Sequence, residues 1–315
     1  MQRSGDTLAA AGSQSSAIAL VTDQRDWHAR QLTSACAALG IRAVCINLSE
    51  CGIDTEKPYG LTIPGFGGAL PIAVLVRSMS GGSFEAVTLR LGILHALREL
   101  GVCVVNDARA IERCVDKSAT SFLLARAGIP TPATWAVESI GAAAAIVERE
   151  AASGPLVLKP LFGSQGRGLR LIRRKDDLPG PEAVKGVYYL QRYVGVERDG
   201  FRDFRLLVSR GRVITAMMRH AATWVTNIKR GGRPVPAVID RKTKALAVAA
   251  ASAVGADFAG VDLLHDADGR PTVLEVNSMP AWSGLQKVTG TNIAAVLAAD
   301  LFGRVRARTG QGAAG

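Results

Sequence analysis

Histidine and cysteine are scarce: four and five among 315 residues. His28, His95, His220 and His265 show no metal-ligand spacing, and neither an HExxH helix nor a GxSxG elbow occurs. Cys36, Cys45, Cys51, Cys103 and Cys114 contain no CxxC pair, and their number is odd. That pattern argues against a disulfide framework and for reduced, buried thiols in a cytoplasmic protein. Aromatic residues are only 5% of the chain. No uninterrupted apolar run approaches the roughly 18 residues of a membrane span. The opening "MQRSGDTLAAAGSQSS" lacks an apolar signal core, so residues 1–15 are expected to form a disordered arm. Internal repeats are absent as well.

What is present is a chain that is 48% hydrophobic, with a formal net charge of +11. Its length suits two or three domains. The basic residues are scattered and not interleaved with aromatics, which disfavours a nucleic-acid surface. Small anionic ligands, such as nucleotide phosphates and carboxylates, explain the charge better.

Over residues 16–112, short apolar runs alternate with helical periodicity. "SAIALVTD", "IRAVCINL", "PIAVLVRSM" and "VCVVN" read as strands, and "DWHARQLTSACAALG" and "SFEAVTLRLGILHALRELG" as helices. This is an open α/β pattern. "RSMSGGSF" follows a strand and precedes a helix, so Arg77, Ser78, Gly81, Gly82 and Ser83 are candidates for holding an anion. A plain flexible loop explains the same residues equally well.

Beyond Asn106 the pattern turns to strands joined by tight turns, an antiparallel α+β signature. "KPLFGSQGRG" carries Gly163, Gly166 and Gly168 between two of these strands. Neither a Rossmann turn nor a Walker loop fits, because no helix and no GK[ST] follow. Glycine backbone, with Ser164, Gln165 and Arg167, suits a cover over a polyphosphate, and a merely mobile loop is the alternative. In "GVDLLHDADGRPTVLEVN" a turn at Asp266–Gly269 sets Asp262 opposite Val273. Period-two alternation then collects Asp262, Glu275 and Asn277 on one face, a hard-oxygen set suited to Mg²⁺. Lys159 ends an apolar strand, where a cation calls for a partner. Lys117 starts a helix, where a solvated role is the stronger reading. Arg205, Arg219, Lys229 and Arg230 are suited to carboxylates or a transferring phosphoryl group. The strand "YYLQRYV" offers an adenine edge or plain core.

Taken together, "DKSATSFLLARAGIPTP", "LVLKPLFGSQGRGL", "QRYV", "DFRLLVSRGRVITAMMR", "TNIKRGG" and "GVDLL…VLEVNSMPAWSGLQ" resemble the ATP-grasp ligases, in their RimK-like α-L-glutamate ligase branch. The stretch from "VRSMSGG" to "DKSAT" further resembles the tetrahydromethanopterin:α-L-glutamate ligase subgroup. The resemblance implies a Rossmann-like pre-ATP-grasp domain over 16–112 and two α+β subdomains, 113–183 and 184–303, that sandwich ATP, with a disordered tail over 304–315. It implies an ADP-forming ligase that activates a carboxylate as an acyl phosphate. The amine is expected to be L-glutamate and the acceptor a small carboxylate such as a pterin cofactor, with a peptide, glutathione-like or protein C-terminal acceptor as the alternative. A nucleotide-binding regulator or a nucleic-acid-binding protein is the non-enzyme alternative.

Residue by residue, Lys117 and Lys159 match phosphate-binding lysines, and Gly163–Gly168 the phosphate cover. Gln191, Tyr193 and Val194 match the adenine strand, and Asp203 the ribose side. Arg219 and Asn227 match catalytic positions facing the transferred phosphoryl group, and Lys159 is counted as catalytic with them. Asp262, Glu275 and Asn277 match the ligands of Mg²⁺, two ions being expected, with Mn²⁺ as a substitute. A dimer or tetramer would be common in such a family. Val225 is a departure, standing where ribosomal-protein-modifying relatives carry a basic residue.

Overall fold

A computed structural model describes residues 15–163, 165–197 and 200–311. The expected arm, apart from Ser15, and Ser164 therefore lie outside the described residues. Two compact units emerge. One runs to Ala108 and takes back the chain from Ala294 onward; the other spans Arg109–Ile293.

The first unit contains β1 (Ala17–Val21), α1 (Trp27–Ala38), β2 (Arg42–Ile46), the short ribbon β3 (Gly52–Ile53) and β4 (Leu61–Thr62), β5 (Ala73–Val76), α2 (Phe84–Glu99) and β6 (Cys103–Val105). Four of these strands form a parallel sheet in the order β2-β1-β5-β6. Every residue of β1 and β5 is buried, which is why both read as unbroken apolar runs. Asp26 caps α1 by accepting from the Ala29 N–H at 2.9 Å. The chain leaves β1 toward β2 on one side and returns to β5 on the other, so the strand order reverses between β1 and β5.

The second unit opens with α3 (Ala108–Val115), α4 (Lys117–Arg126), β7 (Thr134–Val137), α5 (Ile140–Glu150), β8 (Leu156–Lys159), β9 (Arg170–Ile172) and β10 (Tyr188–Arg192). It continues with β11 (Phe201–Ser209), β12 (Arg212–Ala221), β13 (Arg233–Pro236), α6 (Arg241–Val254), β14 (Phe258–His265), β15 (Pro271–Asn277) and α7 (Ser283–Gln286). Two antiparallel sheets result, β7-β10-β8-β9 and β13-β12-β11-β14-β15. Each has a helix on one face. Ala143, Ile146 and Val147 of α5 pack on Leu156, Leu158, Tyr188 and Leu190. Ala247, Ala250, Ala251 and Val254 of α6 pack on Leu206, Val208, Val261 and Val276. Period-two alternation sends the intervening residues, including Lys159, Gln191, Asp203 and Asp262, to the opposite faces. Last comes α8 (Ile293–Gln311).

Several expectations need correction. β3, β4, β7, β13, α3, α5 and α7 were not anticipated. In α5, Ala142–Ala145 favours helix but hides its periodicity, because alanine marks neither face. α8 continues to Gln311, through the start of the expected disordered tail, and from Ala294 onward it groups with the first unit. The β14–β15 register differs as well. Asp262 pairs with Glu275 and Leu263 with Val273, because a bulge intervenes. The extra residue, Leu274, lets Val273 turn into the α6 core while Glu275 stays on the Asp262 side.

Among the described residues no helix is long and apolar enough to cross a membrane. All five cysteines are free, and burial pushes the Cys36 and Cys51 thiols up to about 11.

Candidate active site

A cleft of about 140 Å³ is lined by residues of both sheets of the second unit. From the four-stranded side come Lys159, Gln191, Tyr193, Val194 and the glycine loop, joined by Lys117 of α4. From the five-stranded side come Asp203, Arg219, Asn227, Asp262 and Glu275. Residues far apart in sequence thus converge on one cleft.

Asp116 caps α4, accepting from the Ser118 N–H at 2.8 Å, and this places Lys117 at the first helical position. Its ammonium donates to the carbonyls of Gly163, at 2.8 Å, and Leu161, at 3.2 Å. A solvated role is therefore corrected: Lys117 ties down the base of the glycine loop. Desolvation lowers its pKa, opposed by the nearby Glu275 and Asp116 carboxylates. Lys159 keeps part of its side chain open to the cleft, yet desolvation pulls its pKa from 10.5 to about 8. Glu275 and Asp262 oppose that shift and Lys117 adds to it.

Glycine is required where the loop approaches the other sheet. Gly166 has φ +67°, and a Cβ there would lie 2.5 Å from Asn227 Oδ1 and 2.8 Å from Val225 Cγ1. Gly168, at φ +72°, would clash with Pro160. Val225 thus makes an apolar contact with the glycine loop.

On the five-stranded sheet, Asp203 and Arg219 are cross-strand partners, as are Arg205 and Asp262. Arg205 donates to both Asp262 oxygens, at 2.7 and 2.6 Å. Arg219 lies 2.9 Å from Asp262 and donates from Nε to Asp203 at 2.8 Å, with a second contact from Nη2. Two guanidiniums and two carboxylates form a neutral buried quartet. Burial alone would raise the Asp262 pKa, but Arg205 and Arg219 outweigh it and hold the carboxyl well below the ordinary range. Burial likewise opposes the charge on Arg219, and Asp262 and Asp203 keep its pKa raised. Asp203 lines the cleft, and its carboxylate is held by Arg219, because a buried guanidinium needs a counter-charge.

Asp262 and Glu275 face each other across β14 and β15, and Asn277 lies two residues further along β15. Asn277 does not line the cleft; its Oδ1 accepts from the Met279 N–H at 2.9 Å. Two carboxylates and an amide oxygen suit Mg²⁺ chemically, and Asp262 would share its oxygens between the ion and the arginines. No cluster of three His, Cys, Asp or Glu side chains occurs among the described residues.

Arg205, Lys229 and Arg230 do not line the cleft: Arg205 is held by Asp262, and the other two sit in a short 3₁₀ turn after Asn227. Arg77, Ser78, Gly81, Gly82 and Ser83 belong to the first unit. There Ser83 caps α2, and Arg90 donates to the carbonyls of Ser80 and Gly81, so a cation already holds this loop. Sequence reasoning missed Arg202, Trp224 and Leu274, all of which line the cleft. Trp224 stands edge-on to Tyr193, ring centroids 6.0 Å apart. The hydrophobic "TWV" stretch beside Asn227 was the available signal; Leu274 had none, because the bulge that turns it inward is a tertiary feature.

The architecture has close counterparts. A solved ATP-grasp ligase, PsnB, complexed with a minimal precursor, Mg and ADP, superposes with a TM-score of 0.72 over 93% of this chain and 98% of its own, at 22% identity. The fold is therefore that of the ATP-grasp ligases. A model of the RimK-like ATP-grasp domain matches residues 114–301. The tetrahydromethanopterin:α-L-glutamate ligase of Methanosarcina acetivorans is 33% identical over 310 residues, covering 86% of this chain and 94% of that protein. The enzyme of the same name from Methanococcus maripaludis is 35% identical over 286 residues, covering 88% and 94%. The chain belongs to the RimK-like ATP-grasp family, and so stands among the ATP-dependent ligases that join acids to amino acids.

Proposed function

We propose that this chain joins L-glutamate to a carboxylate of a pterin-class acceptor at the expense of ATP. The observation that carries the reading is the meeting of Lys117, Lys159 and Arg219 with Asp262 and Glu275 in one cleft. Relatives covering 86–88% of the chain, named for tetrahydromethanopterin and glutamate, support the substrate class.

In this reading an acceptor carboxylate oxygen attacks the γ-phosphorus and ADP leaves. The glutamate nitrogen attacks the acyl carbon, the C–O bond to phosphate breaks, and the nitrogen sheds a proton. Lys117 and Lys159 neutralise the nucleotide phosphates, and the glycine loop excludes water. Arg219 and Asn227 face the transferred group. Mg²⁺, held by Asp262, Glu275 and Asn277, would supply further neutralisation of the phosphates. Two ions, replacement by Mn²⁺, a cytoplasmic location and a dimeric or tetrameric state belong to the same reading. Readdition of each metal after chelation, and light scattering, check the metal and assembly parts.

The central test is ADP and phosphate release from Mg-ATP with L-glutamate or other amino acids, with and without pterin-rich small molecules, products being read by mass. A glutamyl increment on a pterin supports the reading. ADP release without a pterin product keeps the ligase and discards the acceptor. No turnover with any substrate removes the activity.

A further inference from the structure

Gln191, expected at an adenine edge, is 2% exposed and otherwise engaged. Its carboxamide oxygen accepts from Lys159 Nζ at 2.5 Å. Its nitrogen donates to Thr134 Oγ1 at 3.2 Å and to Tyr189 Oη at 3.3 Å. Tyr189 Oη in turn lies 2.8 Å from Ser121 Oγ, and Ser121 stands one helical turn after Lys117 on α4.

The polarity of this chain of bonds follows from chemistry. An ammonium only donates, so the amide atom facing it is the oxygen, and the NH₂ faces the two hydroxyls. The Thr134 proton is committed to the Pro132 carbonyl at 2.9 Å, which leaves its oxygen to accept. Both amide hydrogens of Gln191 are thereby consumed inside the protein, and none is left for a base edge. One hydrogen-bonded path joins β8, β10 and α4, the elements that carry Lys159 and Lys117.

We propose that Gln191 is a positioning residue, whose carboxamide fixes the Lys159 ammonium and, through Tyr189 and Ser121, couples it to the helix bearing Lys117. The proposal rests on the reading of this cleft as an ATP site. A neutral partner suits the task, since a carboxylate would draw the lysine's charge away from a phosphate.

The test is calorimetric binding of Mg-ATP and Mg-GTP to the full chain, in wild type, Gln191→Leu, Gln191→Glu, Lys159→Met and the Gln191→Leu/Lys159→Met double variant. Gln191→Leu is expected to weaken both nucleotides about tenfold, the typical worth of a charge-assisted hydrogen bond, with the ATP-to-GTP ratio unchanged. In the Lys159→Met background it is expected to add little. Gln191→Glu recovers part of the loss, because a carboxylate still accepts from the ammonium. A collapsed ATP-to-GTP ratio, or additive losses in the double variant, would make Gln191 a base reader and overturn the proposal. Should Gln191→Leu not fold, Gln191→Glu decides: a changed nucleotide ratio overturns the proposal, and a constant ratio with intermediate affinity supports it. A wild-type chain that binds neither nucleotide overturns the ATP reading itself, and the proposal with it.

Discussion

The two sheets of the second unit solve opposite electrostatic problems. On the five-stranded sheet, Arg205 and Arg219 are matched by Asp203 and Asp262, so the buried charges balance in place. On the four-stranded sheet, Lys159 has a neutral amide as its partner, and desolvation leaves it close to losing its proton. One sheet is charged and compensated; the other is charged and waiting for a counter-ion. A polyphosphate between them would supply what the lysine sheet lacks, and the compensated sheet can spare little charge without collapse.

The largest test of this contrast is Glu275→Ala. Loss of a metal-facing carboxylate is expected to remove several kcal/mol of charge stabilisation, about a thousandfold or more in ADP release, while circular dichroism stays that of the wild type. Wild-type-like turnover would sink the metal role. Next comes Arg219→Met. It leaves Asp203 a buried carboxylate without its guanidinium, while Asp262 keeps Arg205, and denaturant unfolding should show a loss of about 3–5 kcal/mol. A loss under about 1 kcal/mol would show that the quartet is not a coupled unit. Lys159→Met should do the reverse: little change in stability, but Mg-ATP binding weaker by about 10–100-fold in calorimetry.

The sheets should also answer pH in opposite directions. Lys159 is lowered from 10.5 to about 8, so its charge, and with it ATP affinity in the free enzyme, declines as pH rises through about 8. Asp262 is lowered from 3.8 to about 2, so its stabilisation is complete above about 4 and fades as pH falls toward 2. Nucleotide titrations from pH 7 to 9, and acid unfolding of wild type against Asp262→Asn, measure the two arms. The smallest effect is expected from Val225→Lys. It trades an apolar contact with the glycine loop for a cation at the rim, and should shift the KM for ATP by less than about tenfold.

Much of the fold was legible because apolar periodicity reports it directly. β1, β5, α2, α4, α6 and the β14–β15 hairpin all follow from runs and turns in the chain. α5 was not, since a run of alanines carries no face. The candidate site was legible at the level of residue type: lysines closing apolar strands, carboxylates interrupting β14 and β15, glycines between two strands. Partner choice was not. Gln191 and Asp203 looked like ligand contacts, and both turn out to serve a neighbouring cation.

Most of the order of strands and helices, the glycine loop and the candidacy of Lys159, Arg219, Asp262 and Glu275 were written in the sequence itself, because burial and backbone geometry act locally. The tertiary structure alone decided which atoms each would hold. The bulge that sets Asp262 opposite Glu275, the pairing of Arg205 with Asp262 and the contact of Gly166 with Asn227 join segments distant in sequence. Local pattern is silent about such pairings, since a buried polar atom takes whichever partner the folded chain brings within reach.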